Sequence, residues 1–143
     1  MLKPEEYIIR GRHGYGTVLE MAEDVCRKYA GKTAMRLKAN GTYQKYTYGD
    51  LWTSIIKISA ALHKHGLAPG DRAAVYGENR PEWAMAYLGI SKAGGIVVPI
   101  DVLLGACELE YVLNHSAAKI IFVSKKYLDN VLEIADRQRS LKR

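Results

Sequence analysis

Apolar residues recur along this chain with two rhythms, and the change falls near Arg72. Before it, Leu19, Ala22, Cys26 and Tyr29 return at helical spacing. Thr17 stands where a capping hydroxyl belongs, with Glu20 at capping-box distance. The spacing predicts a helix over residues 17–29. Asn40-Gly41 then marks a two-residue hairpin turn, because both positions tolerate positive φ. A tight turn sets Met35 opposite Tyr46 and Leu37 opposite Gln44 on one side, and Arg36 opposite Lys45 on the other. Like charges facing each other are unfavourable, so that second side is expected in water. Thr47 and Asp50 form a second capping pair. Leu51, Ile55, Ile58 and Leu62 make one apolar stripe of the following helix, with Lys57 and Lys64 off it. Gly66 is a left-handed stop, and Pro69-Gly70 a turn.

From Arg72 onward, short unbroken apolar runs alternate with helical patterns. Residues 73–76, 96–99 and 119–123 read as strands buried on both faces. Between the first two, Asn79 is positioned to cap a helix with Pro81 in its first turn and Glu82 completing the cap. Its Trp83, Tyr87 and Ile90 share one face, which is expected to be buried, with Ala84 and Leu88 beside them. Gly94-Gly95 ends it, and the nearby Gly89 is explained by close helix–sheet packing. A helix over 106–114 precedes the third strand. A last helix over 126–137 has Leu128, Val131, Leu132 and Ala135 as its apolar face. Strand, helix, strand, helix, strand is the order of right-handed parallel crossovers. The fold class expected is α/β: a three-layer body with a partial, mostly parallel sheet flanked by helices, plus an N-terminal helix and a β-hairpin outside that sheet or at its margin.

Composition changes this picture little. The 143 residues are 48% hydrophobic and 25% charged, enough for a core of one domain. Residues 1–16 are expected to be a flexible lead-in and 137–143 a basic tail. Arg137, Arg139, Lys142 and Arg143 account for most of the net charge of +6. That placement favours a solvated tail over a nucleic-acid or membrane surface. The stretch 84–106 is interrupted by Lys92, Gly94-Gly95, Pro99 and Asp101, so it is not a membrane span. Cys26 and Cys107, far apart, are expected to be reduced thiols in a cytoplasmic protein; a disulfide in a secreted chain is the alternative, disfavoured by the polar start Met1-Leu2-Lys3-Pro4-Glu5-Glu6.

Candidate chemistry is sparse. Gly11-Arg12-His13-Gly14-Tyr15-Gly16 has the look of a phosphate loop, but no strand leads into it, and a loop is the better reading. His63 and His65 are two apart on a helix and point to different faces, so they do not chelate together. Ser116 beside His115 is an adjacency, not a triad. Asp101 follows a strand end, where open α/β sheets place ligands; a turn carboxylate is the favoured reading. The residues by themselves give a well-patterned α/β body and no catalytic constellation.

Several strings nevertheless resemble acyl-CoA synthetases of the adenylate-forming family. They are Tyr46-Thr47-Tyr48-Gly49-Asp50-Leu51, Pro69-Gly70-Asp71-Arg72-Ala73-Ala74-Val75, Glu78-Asn79-Arg80-Pro81-Glu82-Trp83, the run from Leu88 through Ala93-Gly94-Gly95 to Pro99-Ile100-Asp101, and Glu108-Leu109-Glu110-Tyr111-Val112-Leu113-Asn114-His115-Ser116 with Ala118-Lys119-Ile120-Ile121. They stand in the family's order and spacing over residues 17–123, and they look most like the long-chain fatty acyl branch. The resemblance implies a fatty acid–CoA ligase that forms an acyl-AMP from ATP with magnesium and then passes the acyl group to coenzyme A. It implies no site residue here, whether catalytic, cofactor-binding or metal-binding. The Ser/Thr/Gly-rich phosphate loop ending in lysine, the magnesium ligand, the ribose aspartate and the C-terminal lysine match nothing up to Arg143. The isolated chain is therefore expected to be inactive and to self-associate through an exposed sheet edge. Fatty acid, ATP and CoA are the expected partners of the whole enzyme, nucleic acid is not, and a peripheral membrane contact is a further option. A non-enzymatic interaction module that kept only this scaffold is the alternative; a dinucleotide-binding domain lacks its glycine fingerprint.

Overall fold

The computed structural model describes residues 14–39, 41–137 and 141. Helix α1, Val18–Lys28, begins at Thr17, whose Oγ1 accepts from the Glu20 N–H at 3.1 Å. The return bond differs from the expected box: Glu20 Oε2 accepts from Gly16 N–H, one residue earlier. Strands β1, Thr33–Ala39, and β2, Thr42–Thr47, form an antiparallel hairpin. Its register sets Met35 against Tyr46, Leu37 against Gln44 and Arg36 against Lys45, as the turn chemistry requires. Gly41 has φ +78°, while Asn40 lies outside the described residues. Both Arg36 and Lys45 are exposed.

Thr47 ends the hairpin and caps α2, Tyr48–Lys64. Its Oγ1 accepts from Asp50 N–H at 3.1 Å, and its own N–H donates to Asp50 Oδ2 at 2.9 Å. Those bonds from Thr47, backbone first and hydroxyl second, hold the Asp50 carboxyl below its ordinary range. Thr47→Ala is expected to lower stability by about 1 kcal/mol. Because the folded-state pKa of Asp50 is depressed, its contribution is present above the unfolded carboxyl pKa and is lost as pH falls through the folded one. The variant keeps the backbone bond and loses the hydroxyl bond to the carboxylate. The gap in urea midpoints should therefore be widest at neutral pH and should narrow in acid to the share of the non-titrating cap bond from Asp50 N–H.

Strands β3, Arg72–Tyr76, β4, Ile96–Ile100, and β5, Ile120–Val123, form a parallel sheet in the order β4-β3-β5. Ala74 of β3 pairs with Val98 and Ile121. The period-two alternation of β3 divides the core. Ala73 and Val75 pack with Leu62, Ala86 and Ile90 of α2 and of α3, Pro81–Lys92. Ala74 and Tyr76 pack with Leu109, Leu113, Val131 and Ile134 of α4, Ala106–Ser116, and α5, Leu128–Ile134. Two helical layers thus sandwich the sheet. A third cluster, around Cys26, Leu51, Ile55 and Met85, joins α1 and the hairpin to the outer side of α2 and α3, away from the parallel sheet. Burial there raises the pKa of the Cys26 thiol; Cys107 is exposed, and both are free.

Leu51, Ile55 and Leu62 are buried, Ile58 is half-buried between two clusters, and Lys57 and Lys64 are exposed. Four sequence expectations need correction. Asn79 does not cap α3: Arg80 occupies the cap position and makes no side-chain cap bond. Pro81 at the first helical position removes one orphan N–H and drives Arg80 into extended backbone, φ −148°. The buried face of α3 is Pro81, Met85, Ala86, Gly89 and Ile90; Trp83 is half-buried and Tyr87, stacked on it at 5.5 Å, is exposed. The reason is Gly89, which approaches α2 so closely that an added Cβ would lie 2.5 Å from Ile58 Cγ2. That contact is helix–helix packing, where helix–sheet packing was expected. In the last helix Val131 and Ile134 are buried, whereas Leu128 and Leu132 are exposed. A 3₁₀ turn, Lys125–Tyr127, precedes α5, and Val131 and Ile134 are the pair that packs with Leu109 and Leu113 of α4.

Candidate binding crevice at the carboxyl edge of the sheet

The connection leaving β3 runs to α3 on one face of the sheet, and the connection leaving β5 runs to α5 on the other. The chain therefore parts between two adjacent parallel strands, the place where open α/β sheets form ligand crevices. A cavity of about 280 Å³ lies there, with Val75, Trp83, Ala86 and Phe122 as apolar lining and Ser124 and Lys125 at its rim. A hollow of about 550 Å³ lies on the other side of the 77–80 loop, against Asn79, Pro99, Asp101 and Val102. A larger one, about 590 Å³, follows β5 and α2 and is lined by aliphatic and aromatic side chains with His65 as its polar member. It has volume but little chemistry, so the strand-end crevice is the better candidate.

Hydrogen bonds close the crevice across the sheet. Ser124 Oγ donates to Glu78 Oε2 at 2.6 Å, joining the ends of β5 and β3. Arg80 donates to Glu78 Oε1 at 3.3 Å and to both oxygens of Glu82 at 2.9 and 3.0 Å. The Ser124 bond is the largest cause holding the Glu78 carboxyl below its ordinary value; the Arg80 bond does the same for Glu82, and the Arg80 guanidinium is held more firmly protonated in return. Ser124→Ala is expected to raise the Glu78 pKa toward the ordinary carboxylate range, readable in carboxyl chemical shifts against pH. An unmoved Glu78 titration would mean that its own backbone N–H and Arg80 set it.

The residues singled out from sequence are not brought together. Gly14 has φ +66°, Gly16 serves the α1 cap, and Tyr15 hydrogen-bonds Asp24, while Gly11, Arg12 and His13 lie outside the described residues. His63 and His65 are exposed at the end of α2. His115 stacks on Tyr111, and Ser116 Oγ donates to Leu113 O, so neither activates the other. Asp101 Oδ1 accepts from Leu103 N–H at 3.0 Å, a turn carboxylate as favoured. No group of three His, Cys, Asp or Glu able to hold a metal occurs among the described residues, and no described helix is long and apolar enough to cross a membrane. Sequence reading missed the Glu78–Ser124 bridge. Its members are 46 residues apart, and no local spacing announces such a pair.

Comparison with known proteins gives this architecture its family. The profile described as AMP-binding enzyme matches residues 22–143. The chain is 31% identical over 121 residues to 4-hydroxybutyrate–CoA ligase 2 of Metallosphaera sedula, covering 85% of this chain and 21% of that one. It is 32% identical over 92 residues to long chain acyl-CoA synthetase 2 of Arabidopsis thaliana, covering 64% and 14%. The crystal structure of the anthranilate CoA ligase AuaEII in complex with anthranoyl-AMP superposes with a TM-score of 0.78 at 25% identity, over 86% of this chain and 23% of that one. The chain belongs to the AMP-binding enzyme family. It spans about a fifth or less of the length of these relatives.

Proposed function

We propose that this chain is the N-terminal scaffold of an AMP-forming acid–CoA ligase, one that converts a carboxylic acid to its acyl-AMP with ATP and magnesium and then to its CoA thioester. The observation that carries this reading is the family match from residue 22 to residue 143, joined to relatives named as CoA ligases and acyl-CoA synthetases. Long-chain fatty acids are the substrate class we favour. The likeness to an acyl-CoA synthetase of that kind supports it, while 4-hydroxybutyrate and anthranilate in the names of other relatives mark the competing classes. On this reading no residue of the chain has a catalytic, nucleotide-binding or metal-binding role, and the 143 residues alone are inactive. The sheet supports acyl and nucleotide sites completed by other residues of the enzyme. A cytoplasmic location with peripheral membrane contact accompanies the fatty-acyl reading. Self-association of the isolated chain would run through β5, because β4, at the opposite edge, carries Pro99 and lacks one ladder donor.

The test uses the polypeptide encoded by the whole gene. Acid-dependent pyrophosphate release should be strongest with palmitate and weaker with 4-hydroxybutyrate or anthranilate. Preference for a short or aromatic acid would overturn the substrate class. Absence of acid-dependent release with every acid would overturn the ligase reading.

A further inference from the structure

Tyr76, the last residue of β3, is fully buried, and its hydroxyl is used twice. It donates to Leu104 O at 2.8 Å, in the 101–105 loop between β4 and α4, and it accepts from Asn130 Nδ2 at 2.9 Å, on α5. Its ring also meets Tyr127 with centroids 5.2 Å apart, just ahead of α5. The loop and α5 are far apart in sequence and lie at the same carboxyl edge of the sheet. Within the loop, Asp101 is tied to Leu103 and Leu104 by local turn bonds, and Gly105 to Glu108. Those bonds are internal to the loop and to α4 and tie neither to the sheet. The bond to Tyr76 does, and its loss leaves the loop and its local turn bonds free to fluctuate. Leu103, at the tip, is 88% exposed and anchors nothing. Asp101 and Val102 of this loop wall the larger strand-end hollow.

We propose that the Tyr76 hydroxyl couples the 101–105 loop to α5, so that the loop walling the strand-end hollow and the helix beside it open as one unit. The physical basis is mutual dependence. Leu104 and Asn130 are half-buried, so a carbonyl or amide left there without its partner is costly in part. The hydroxyl of the buried Tyr76, which donates to one group and accepts from the other, is held in place by both. Release of Asn130 frees the hydroxyl to turn away from Leu104, and release of Leu104 frees it to turn from Asn130. The inference rests on these two bonds to the buried Tyr76 and not on the ligase reading.

The test is amide hydrogen exchange on the full chain in four forms: wild type, Tyr76→Phe, Asn130→Ala and the double variant. The Leu103, Leu104 and Gly105 amides report the loop, the α5 amides report the helix, and the α1 and β2 amides serve as control. Tyr76→Phe should quicken exchange in loop and helix together by about tenfold, with the control amides unchanged. Asn130→Ala is the decisive variant, since Asn130 makes no hydrogen bond to the loop. Made in the wild type, it should quicken loop exchange severalfold. Made on top of Tyr76→Phe, it should leave loop exchange where Tyr76→Phe alone put it. A loop indifferent to Asn130→Ala, or equally sensitive to it with and without Tyr76→Phe, overturns the coupling. If Tyr76→Phe melts early and quickens every amide alike, the single Asn130→Ala variant still decides, because only coupling through the Tyr76 hydroxyl carries its effect selectively to the loop.

Discussion

Ile90→Ala is expected to destabilise the fold by about 2–5 kcal/mol, more than Trp83→Ala, although tryptophan is much the larger side chain. Ile90 is 0% exposed and packs among Ala73, Val75, Ala86 and Leu67, with the β4-leading Gly95 pressed against it. Truncation there opens a cavity that the small residues around it cannot refill. Trp83 stands in the first turn of α3, at the level of the strand ends, with part of its ring open to the crevice and Tyr87 stacked on it. Its removal leaves space already continuous with solvent, so about 1–2 kcal/mol is expected from the part of the ring that folding buries. Paired urea titrations give the order directly. A Trp83→Ala loss equal to that of Ile90→Ala would show that the crevice side of α3 is core.

Gly89→Leu is expected to cost about 3 kcal/mol, the upper part of the range for overpacking. Even alanine at this position would place its Cβ 2.8 Å from Ile58 Cβ, an atom fixed to the α2 backbone, so side-chain rotation cannot relieve the contact. Alanine gains about 1 kcal/mol in helix propensity over glycine, which offsets part of the clash and sets Gly89→Ala at a smaller net loss. Combining Gly89→Ala with Ile58→Ala should recover stability relative to the sum of the single losses, because the 2.5 Å contact with Cγ2 disappears. Additive losses would place the α2–α3 contact elsewhere.

These two positions show where sequence was informative and where it was not. The hairpin register was legible because turn residues fix it: two residues separate Ala39 from Thr42, and every pair back to Met35–Tyr46 follows. The parallel sheet was legible because both faces of β3 are apolar, which only a strand covered on both sides needs. The buried face of α3 was not. Trp83, Ala84, Met85, Ala86, Tyr87, Leu88 and Ile90 are apolar nearly all round the helix, so periodicity chooses no face. The choice is made by Gly89, through the close approach that a missing side chain allows. In α5 the residues Leu128, Val131, Leu132, Ile134 and Ala135 offer two stripes, and only packing against Leu109 and Leu113 of α4, which are remote in sequence, selects Val131 and Ile134. The crevice is assembled from Glu78 and Ser124, and the loop tie from Tyr76, Leu104 and Asn130. Such pairings exist only once three strands are in order. The turn role of Asp101 was legible for the opposite reason, since its partner is two residues away.

The central claim is that these residues are scaffold, with the nucleotide chemistry of the proposed ligase supplied by other parts of the enzyme. Calorimetric titration of the 143-residue chain with ATP and magnesium tests it most directly. No strand is described ahead of the glycine cluster, and among the described residues no strand–glycine loop–helix unit gathers the donors and positive charge that a triphosphate needs. The expected result is heat of dilution alone, with no saturable binding. A saturable site in the micromolar range would contradict the account and place a nucleotide pocket within this chain.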